Sequence, residues 1–263
     1  MNAISTSSST DILRVAGVTV RFGDFTALDN LSLTLRRGEL RVVIGPNGAG
    51  KTTLLDVIPG KARPRAGRVM LQPLGGAERD LTRLPEQSIS RLGVGRKFQT
   101  PNVFKSLTVL ENLRLALKYP RGVMATLAAV FKQDGRARVE EVLALTGLAG
   151  RAYTKAGVLS HGEKQWLELG MLMAQDPELL LIDEPVAGMT PRESERTGEL
   201  LLAMARKHAL LVIEHDMTFV RQLGRKVTVL HQGTVLCEGS VDQVQNDERV
   251  IEVYLGRKKK DKK

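Results

Sequence analysis

The chain has 263 residues, of which 42% are hydrophobic and 26% charged, enough apolar material for one large domain or two lobes with a full core. Its longest nearly apolar run, Val123 to Phe131, falls well short of the roughly 20 residues that a membrane-spanning helix needs, and the single cysteine, Cys237, excludes an internal disulfide and fits a reducing compartment. Net charge is +10, but residues 257–263 carry six positive side chains and one negative, so this stretch alone accounts for +5 and the body is only mildly basic; with 4% aromatics and none interleaved among the basic residues, a stacking platform for single-stranded nucleic acid is not indicated.

Residues 1–10 hold six Ser or Thr and no charged side chain, unlike the basic-then-apolar pattern of a secretory leader, and are expected to be a disordered start. Residues 12–37 alternate loosely between apolar and polar, with Gly and Asp turns, which predicts antiparallel strands. They lead into Leu40-Arg41-Val42-Val43-Ile44, a buried strand. Next comes Gly45-Pro46-Asn47-Gly48-Ala49-Gly50-Lys51-Thr52, which fits the phosphate-loop pattern G-x-x-x-x-G-K-[ST] at every fixed position. A helix over Thr52 to Ile58 follows and is expected to end at Pro59, whose ring would crowd the carbonyl of Leu55. Strand, loop and helix thus arrive in the order a phosphate cradle needs. Its glycines turn backbone N–H groups inward, Lys51 adds a point charge, the helix N-terminus adds its dipole, and Thr52 offers a hydroxyl to Mg2+.

Residues 67–72 read as a further strand, Glu86 to Leu92 as a short helix, and Val94 to Phe98 as a strand leading to Gln99, with Thr100-Pro101-Asn102 breaking it. Thr108-Val109-Leu110-Glu111 has the capping-box pattern and opens a helix. Arg136 to Thr146 gives another, so residues 100–176 read as a mostly helical insert with bends at Gly122 and Asp134-Gly135. Leu179 to Ile182 and Leu210 to Ile213 are continuous apolar runs, as expected of parallel strands covered on both faces. Between them a helix starts with Thr190 at N-cap, Pro191 at N1 and Glu193 at N3. Lys226 to Leu230 and Thr234 to Cys237 form a hairpin around His231-Gln232-Gly233 at the end of the sheet. The fold class is α/β: a P-loop core with a parallel sheet, an antiparallel β subdomain and a helical insert.

Asp183-Glu184-Pro185 places two carboxylates at the carboxyl end of a buried strand, where open α/β sheets bind ligands. Adjacent strand residues point opposite ways, so Asp183 can face Mg2+ while Glu184 accepts a proton from an attacking water. Ile213-Glu214-His215-Asp216 repeats the pattern one strand later and sets the His215 imidazole at the same edge. His208 and His231 lack such placement and are read as structural. In Leu159-Ser160-His161-Gly162-Glu163-Lys164-Gln165, Ser160 works as an N-cap with Glu163 at N3, opening a helix whose N–H groups suit an anion.

With Gln99, Asp183-Glu184 and His215 in their chain order, this last stretch resembles the signature of the ATP-binding cassette (ABC) family, usually written LSGGQ, and the likeness covers about residues 11–256. It departs at His161, where the signature has Gly, and at Glu163, where it has Gln. The resemblance implies ATP and Mg2+ as cofactors. It implies Phe22 as the aromatic that stacks on adenine, Gly45 to Thr52 with Thr53 as the nucleotide loop, and Gln99 as the Q-loop glutamine, a Mg2+ ligand beside Thr52 and Asp183. Ala187-Gly188-Met189-Thr190 matches the D-loop, and Glu184, His215 and Gln99 are the implied catalytic set. Ser160, His161, Gly162 and Glu163 would meet the ATP of a second, identical or homologous cassette in a head-to-tail dimer, with Glu163 expected to fold back onto its own helix end.

At subfamily level, Gly45 to Thr53, Gly95-Arg96-Lys97-Phe98-Gln99, Leu159 to Met173, Asp183 to Thr190 and Asp247 to Arg257 are similar to the ATP-binding subunit of bacterial urea importers, neighbours of the branched-chain amino acid importers. That implies two transmembrane permease subunits, a periplasmic substrate-binding protein acting indirectly, a peripheral place on the cytoplasmic face of the bacterial inner membrane, and no nucleic acid. The helical insert after Gln99 is the expected docking surface, with the basic residues 257–263 as a separate tail. Two other classes stand beside it. A soluble cassette ATPase acting on nucleic acid or ribosomes gains slight encouragement from the basic tail but lacks paired cassettes and sustained heptads. A metabolite kinase leaves the Ser160 stretch unexplained.

Overall fold

Five consecutive buried residues, Leu40–Ile44, form β3, an interior strand of the larger of two sheets. The computed structural model describes residues 10–97, 101–117 and 135–255. The larger sheet has six strands in the order β10 (Thr234–Gly239), β9 (Lys226–His231), β3, β8 (Ala209–Ile213), β7 (Leu179–Asp183) and β6 (Val94–Lys97). All its neighbours are parallel except the β9–β10 hairpin at one edge. The smaller sheet is antiparallel, ordered β2 (Phe25–Arg36), β1 (Asp11–Phe22), β4 (Ala66–Leu71) and β5 (Arg79–Asp80).

The apolar runs of the large sheet are continuous because the two sides of each strand feed different cores. Leu40, Val42, Ile44, Leu180, Ile182, Leu210 and Val212 pack with Leu113 of α3 (Val109–Ala116), Val142 of α4 (Arg136–Thr146), Trp166 and Leu167 of α5 (His161–Ala174), Leu201 of α6 (Pro191–Met204) and Phe219 of α7 (Met217–Leu223). Val43, Leu179, Leu181, Leu211 and Ile213 pack instead with the antiparallel sheet and with Leu54 and Leu55 of α1 (Lys51–Val57). Truncating one of these leucines to alanine costs about 2–5 kcal/mol. A strand anchored from both sides holds its carboxyl end in a fixed place.

The expected elements stand where the pattern put them, within a residue or so. α1 runs from Lys51 to Val57, one residue early at each end, because Gly50 is its left-handed N-cap and the chain turns at Pro59-Gly60. α2 (Glu86–Arg91), α3 and α4 match, and α3 and α6 both open with complete capping boxes. Among the described residues three α-helices were not anticipated: α7, α8 (Val241–Gln245) and α9 (Glu248–Leu255). Residues 1–9, Phe98, Gln99, Thr100, the bend at Gly122, the Val123–Phe131 run and the basic tail lie outside the described residues. Among the described residues no helix is long and apolar enough to cross a membrane.

One buried charge also escaped the pattern. Arg41 on β3 is 1% exposed. Its guanidinium donates to Glu39 and Glu238 at 2.6 Å each, to Thr228 Oγ1 at 3.1 Å and to the Thr34 carbonyl at 3.0 Å, tying β3 to β2, β9 and β10.

Candidate nucleotide site

The phosphate loop connects β3 to α1 and is supported from below by residues distant in sequence. Gly233, in the β9–β10 turn, donates its N–H to the Ala49 carbonyl at 3.1 Å, and its own carbonyl accepts from Asp29 N at 3.0 Å. A Cβ at Gly45 would collide with the Leu230 carbonyl, and one at Gly50 with the Ala27 carbonyl and the Leu28 side chain, so two pattern glycines are required by close packing of backbone against backbone. Lys51 Nζ donates to the Gly45 and Pro46 carbonyls at 2.7 and 3.0 Å, which holds the ammonium inside the curl of the loop. Burial pushes its pKa down, and the negative charges of Glu184 and Asp183 push back, which sets both carboxylates within electrostatic reach of the loop.

Those carboxylates stand at the end of β7. Glu184 continues the pairing with β8 through its N–H to the Ile213 carbonyl at 3.0 Å, yet has φ +42, a left-handed backbone unusual for a residue with a Cβ. Asp183 is half-buried. Its carboxyl lies above the usual range, first through burial and then through the like charge of Glu184, with Arg96 and Lys97 opposing. At the end of β8, His215 Nδ1 is 3.5 Å from Glu184 Oε1 and 3.5 Å from Glu214 Oε2. The structure therefore brings together Lys51, Asp183, Glu184 and His215 at one sheet edge.

Glu214 belongs to this group although its role was not foreseen. It is buried, accepts from His215 N at 2.6 Å and Asp216 N at 3.0 Å, and so fixes the backbone that presents the imidazole. Burial raises its pKa, while those two N–H groups and His215 pull it down. The visible signal was the carboxylate after an apolar run, the same pattern that singled out Asp183-Glu184. Asp216 then caps α7 by accepting from Thr218 N and Phe219 N.

The Ser160 helix begins as its residues dictate. Ser160 Oγ accepts from Glu163 N at 3.1 Å, and the Glu163 carboxylate accepts from Ser160 N at 2.9 Å. Glu163 thus folds back onto its own helix end, and Arg151 Nε, 3.4 Å away, offsets its charge. His161 Nε2 lies 3.2 Å from the Ala187 carbonyl, and a Cβ on Gly162 would collide with Glu193, so the Ser160 stretch and residues 187–193 pack as one surface. Phe22 is 58% exposed at the tip of the β1–β2 hairpin beside its ladder partner Phe25, 60% exposed, a second aromatic that sequence reasoning passed over. Gln99 lies outside the described residues. His208 is buried with Nδ1 2.6 Å from the Pro177 carbonyl, a structural histidine as expected.

Known proteins resemble this chain in sequence and in fold. The ABC transporter family model matches residues 28–187, and a second model, for branched-chain amino acid ATP-binding cassette transporters, matches residues 234–260. The high-affinity branched-chain amino acid transport ATP-binding protein LivG of Salmonella typhimurium is 37% identical over 257 residues, covering 94% of this chain and 99% of the relative. The solved ADP conformation of an ATP-binding cassette of an ABC transporter superposes with a TM-score of 0.78 at 30% identity, covering 94% of this chain and 99% of that one. A dimeric bacterial ABC transporter cassette gives 0.71 at 26% identity, covering 88% and 99%. With the family match spanning more than half the sequence and relatives aligned almost end to end, this chain belongs to the ABC transporter family, as an ATP-hydrolysing cassette of the branched-chain amino acid group.

Proposed function

We propose that this cassette, residues 11–256 with a helical subdomain over about 100–176, is the energy-coupling subunit of a multisubunit importer. The meeting of Lys51, Asp183, Glu184 and His215 at one sheet edge is the observation that supports it. Backbone N–H groups from Gly45 to Thr53 and the Lys51 ammonium hold the triphosphate, with Pro46, Asn47, Gly48, Ala49 and Gly50 shaping the curl, and Phe22 meets the adenine. Glu184 takes the proton from the attacking water, and His215, held against Glu184, orients the γ-phosphate.

The donors at hand suit Mg2+. Thr52 and Asp183 supply a hydroxyl and a carboxylate, hard oxygen ligands, and among the described residues no group of three or more His, Cys, Asp or Glu is placed to hold a metal. Gln99 joins Thr52 and Asp183 in this reading. When bound, Mg2+ neutralises charge on the phosphates.

Ser160, His161, Gly162 and Glu163 close on the ATP of a second cassette, a reading supported by the dimeric relative. Two permeases dock on the helical region, where Phe104, Leu115, Tyr153 and Val158 stand exposed. In this reading the chain works on the cytoplasmic face of the inner membrane, with a periplasmic binding protein delivering the cargo. The cargo is urea in the reading carried by the five sequence stretches, and a branched-chain amino acid in the one carried by the relatives' names.

Glu184→Gln with ATP tests the motor: an ATP-dependent dimer in size-exclusion chromatography is expected, and a persistent monomer overturns the clamp. Uptake of labelled urea against labelled leucine by the assembled transporter decides the cargo.

A further inference from the structure

Lys97, the last described residue of β6, is 0% exposed, and its Nζ lies 3.7 Å from Glu168 Oε2 on α5. Glu168, 5% exposed, also accepts from Asn102 N at 3.2 Å through its other oxygen. One carboxylate on the helix that opens at Ser160 therefore holds the chain both before and after residues 98–101. The preceding residue works on the opposite face of β6. Arg96 donates to the Leu55 carbonyl at 3.0 Å and to the Asp56 carboxylate, gripping the end of the phosphate-loop helix. In the ladder Arg96 and Lys97 pair with Leu181 and Ile182, immediately before Asp183. Strand alternation thus makes β6 a two-sided tie: one side chain to α1, the next to α5, both beside the carboxylates at the strand ends.

Stability alone explains this poorly. A fully buried ion pair gains little over apolar side chains of similar volume, because desolvation offsets the Coulomb attraction. What the pair adds is a directional link between β6 and α5, charge to charge.

We propose that Lys97 and Glu168 are positioning residues that make α5 follow the nucleotide edge: a displacement of the β6–β7 ends on nucleotide binding passes through the ion pair to α5 and through Glu168 to the segment at Asn102. This rests on the reading that the chain binds ATP at its phosphate loop. Trp166, the sole tryptophan, lies on α5 close to Glu168. Its ring is covered by Arg196 at 4.2 Å, and its Nε1 donates to Thr197 Oγ1 at 2.9 Å, both on α6. Movement of α5 against α6 changes that environment, so Trp166 emission reports it.

The test uses the full chain with Mg2+ and the non-hydrolysable analogue adenylyl imidodiphosphate, with affinity measured by calorimetry and α5 followed by Trp166 emission. A single replacement strands a buried charge and endangers folding, so the decisive variant is Lys97→Met/Glu168→Gln, which removes both charges. The expected result is an affinity within about threefold of wild type, an emission response reduced about fivefold or more, and kcat lowered about tenfold with KM unchanged. A double variant that keeps the full response and kcat overturns the inference, as does a wild type that binds the analogue while its Trp166 emission stays constant. Failure of the wild type to bind the analogue sinks the nucleotide reading itself, which calorimetry registers separately.

Discussion

Two charged clusters, one around Arg41 and one at the ends of β7 and β8, follow opposite rules. Arg41 is enclosed by Glu39, Glu238, Thr228 and the Thr34 carbonyl, opposite charges and acceptors at hydrogen-bond distance. At the other cluster Asp183, Glu184 and Glu214 crowd like charges together, burial raises the pKa of Asp183 and Glu214, and Glu184 sits in a left-handed backbone. The first cluster is complete within the fold. The second is held in a costly arrangement by strands anchored in two cores, the state expected of a site whose positive partners arrive with a ligand.

Substitutions at the two clusters should therefore separate stability from catalysis. The largest effect is expected from Glu184→Gln: kcat falls by about 10²–10⁴ in phosphate release, while the urea unfolding midpoint stays or rises because a crowded charge is gone. Arg41→Met should do the reverse, losing about 1–3 kcal/mol of unfolding free energy by removing the one buried donor that serves Glu39, Glu238 and the Thr34 carbonyl together, with kcat per folded molecule unchanged. His215→Ala should lower kcat by roughly one to two orders of magnitude and leave the unfolding midpoint alone. Ser160→Ala removes a cap worth about 1 kcal/mol, and it should weaken ATP-dependent dimerisation in sedimentation more than it weakens the monomer.

The subtlest test is pH. The folded state holds the Glu214 proton to higher pH than the unfolded chain, whose ordinary value is 4.5. Between those two values the native state binds more protons, so the Glu214 contribution to stability falls as pH rises through the window. Glu214→Gln should therefore gain on wild type in unfolding free energy as pH is raised from about 4.5 towards neutrality. A difference that does not change with pH would move Glu214 from the crowded cluster to the satisfied one.

The catalytic cluster was the more legible of the two in the sequence. Continuous apolar runs announced β3, β7 and β8, and the residues following each run are the ones the structure gathers, because a buried parallel strand leaves little freedom in where its end points. Glu163 folding onto Ser160 was likewise readable, since a capping box is local. Arg41 was not, since its partner Glu238 lies 197 positions away. Nor was Lys97, whose Glu168 belongs to another element. The start of α7 was legible in principle, because Asp216 is an Asx cap that accepts from Thr218 N and Phe219 N.

The position of β3 has a consequence for biosynthesis. Both of its sheet neighbours, β8 and β9, come from the last third of the chain, and the turn that braces Ala49 does so through Gly233. A nascent polypeptide that has already released its glycine turn lacks the Gly233 brace beneath Ala49 until some 180 further residues leave the ribosome. Products that stop before Gly233 should therefore bind ATP more weakly than the whole chain.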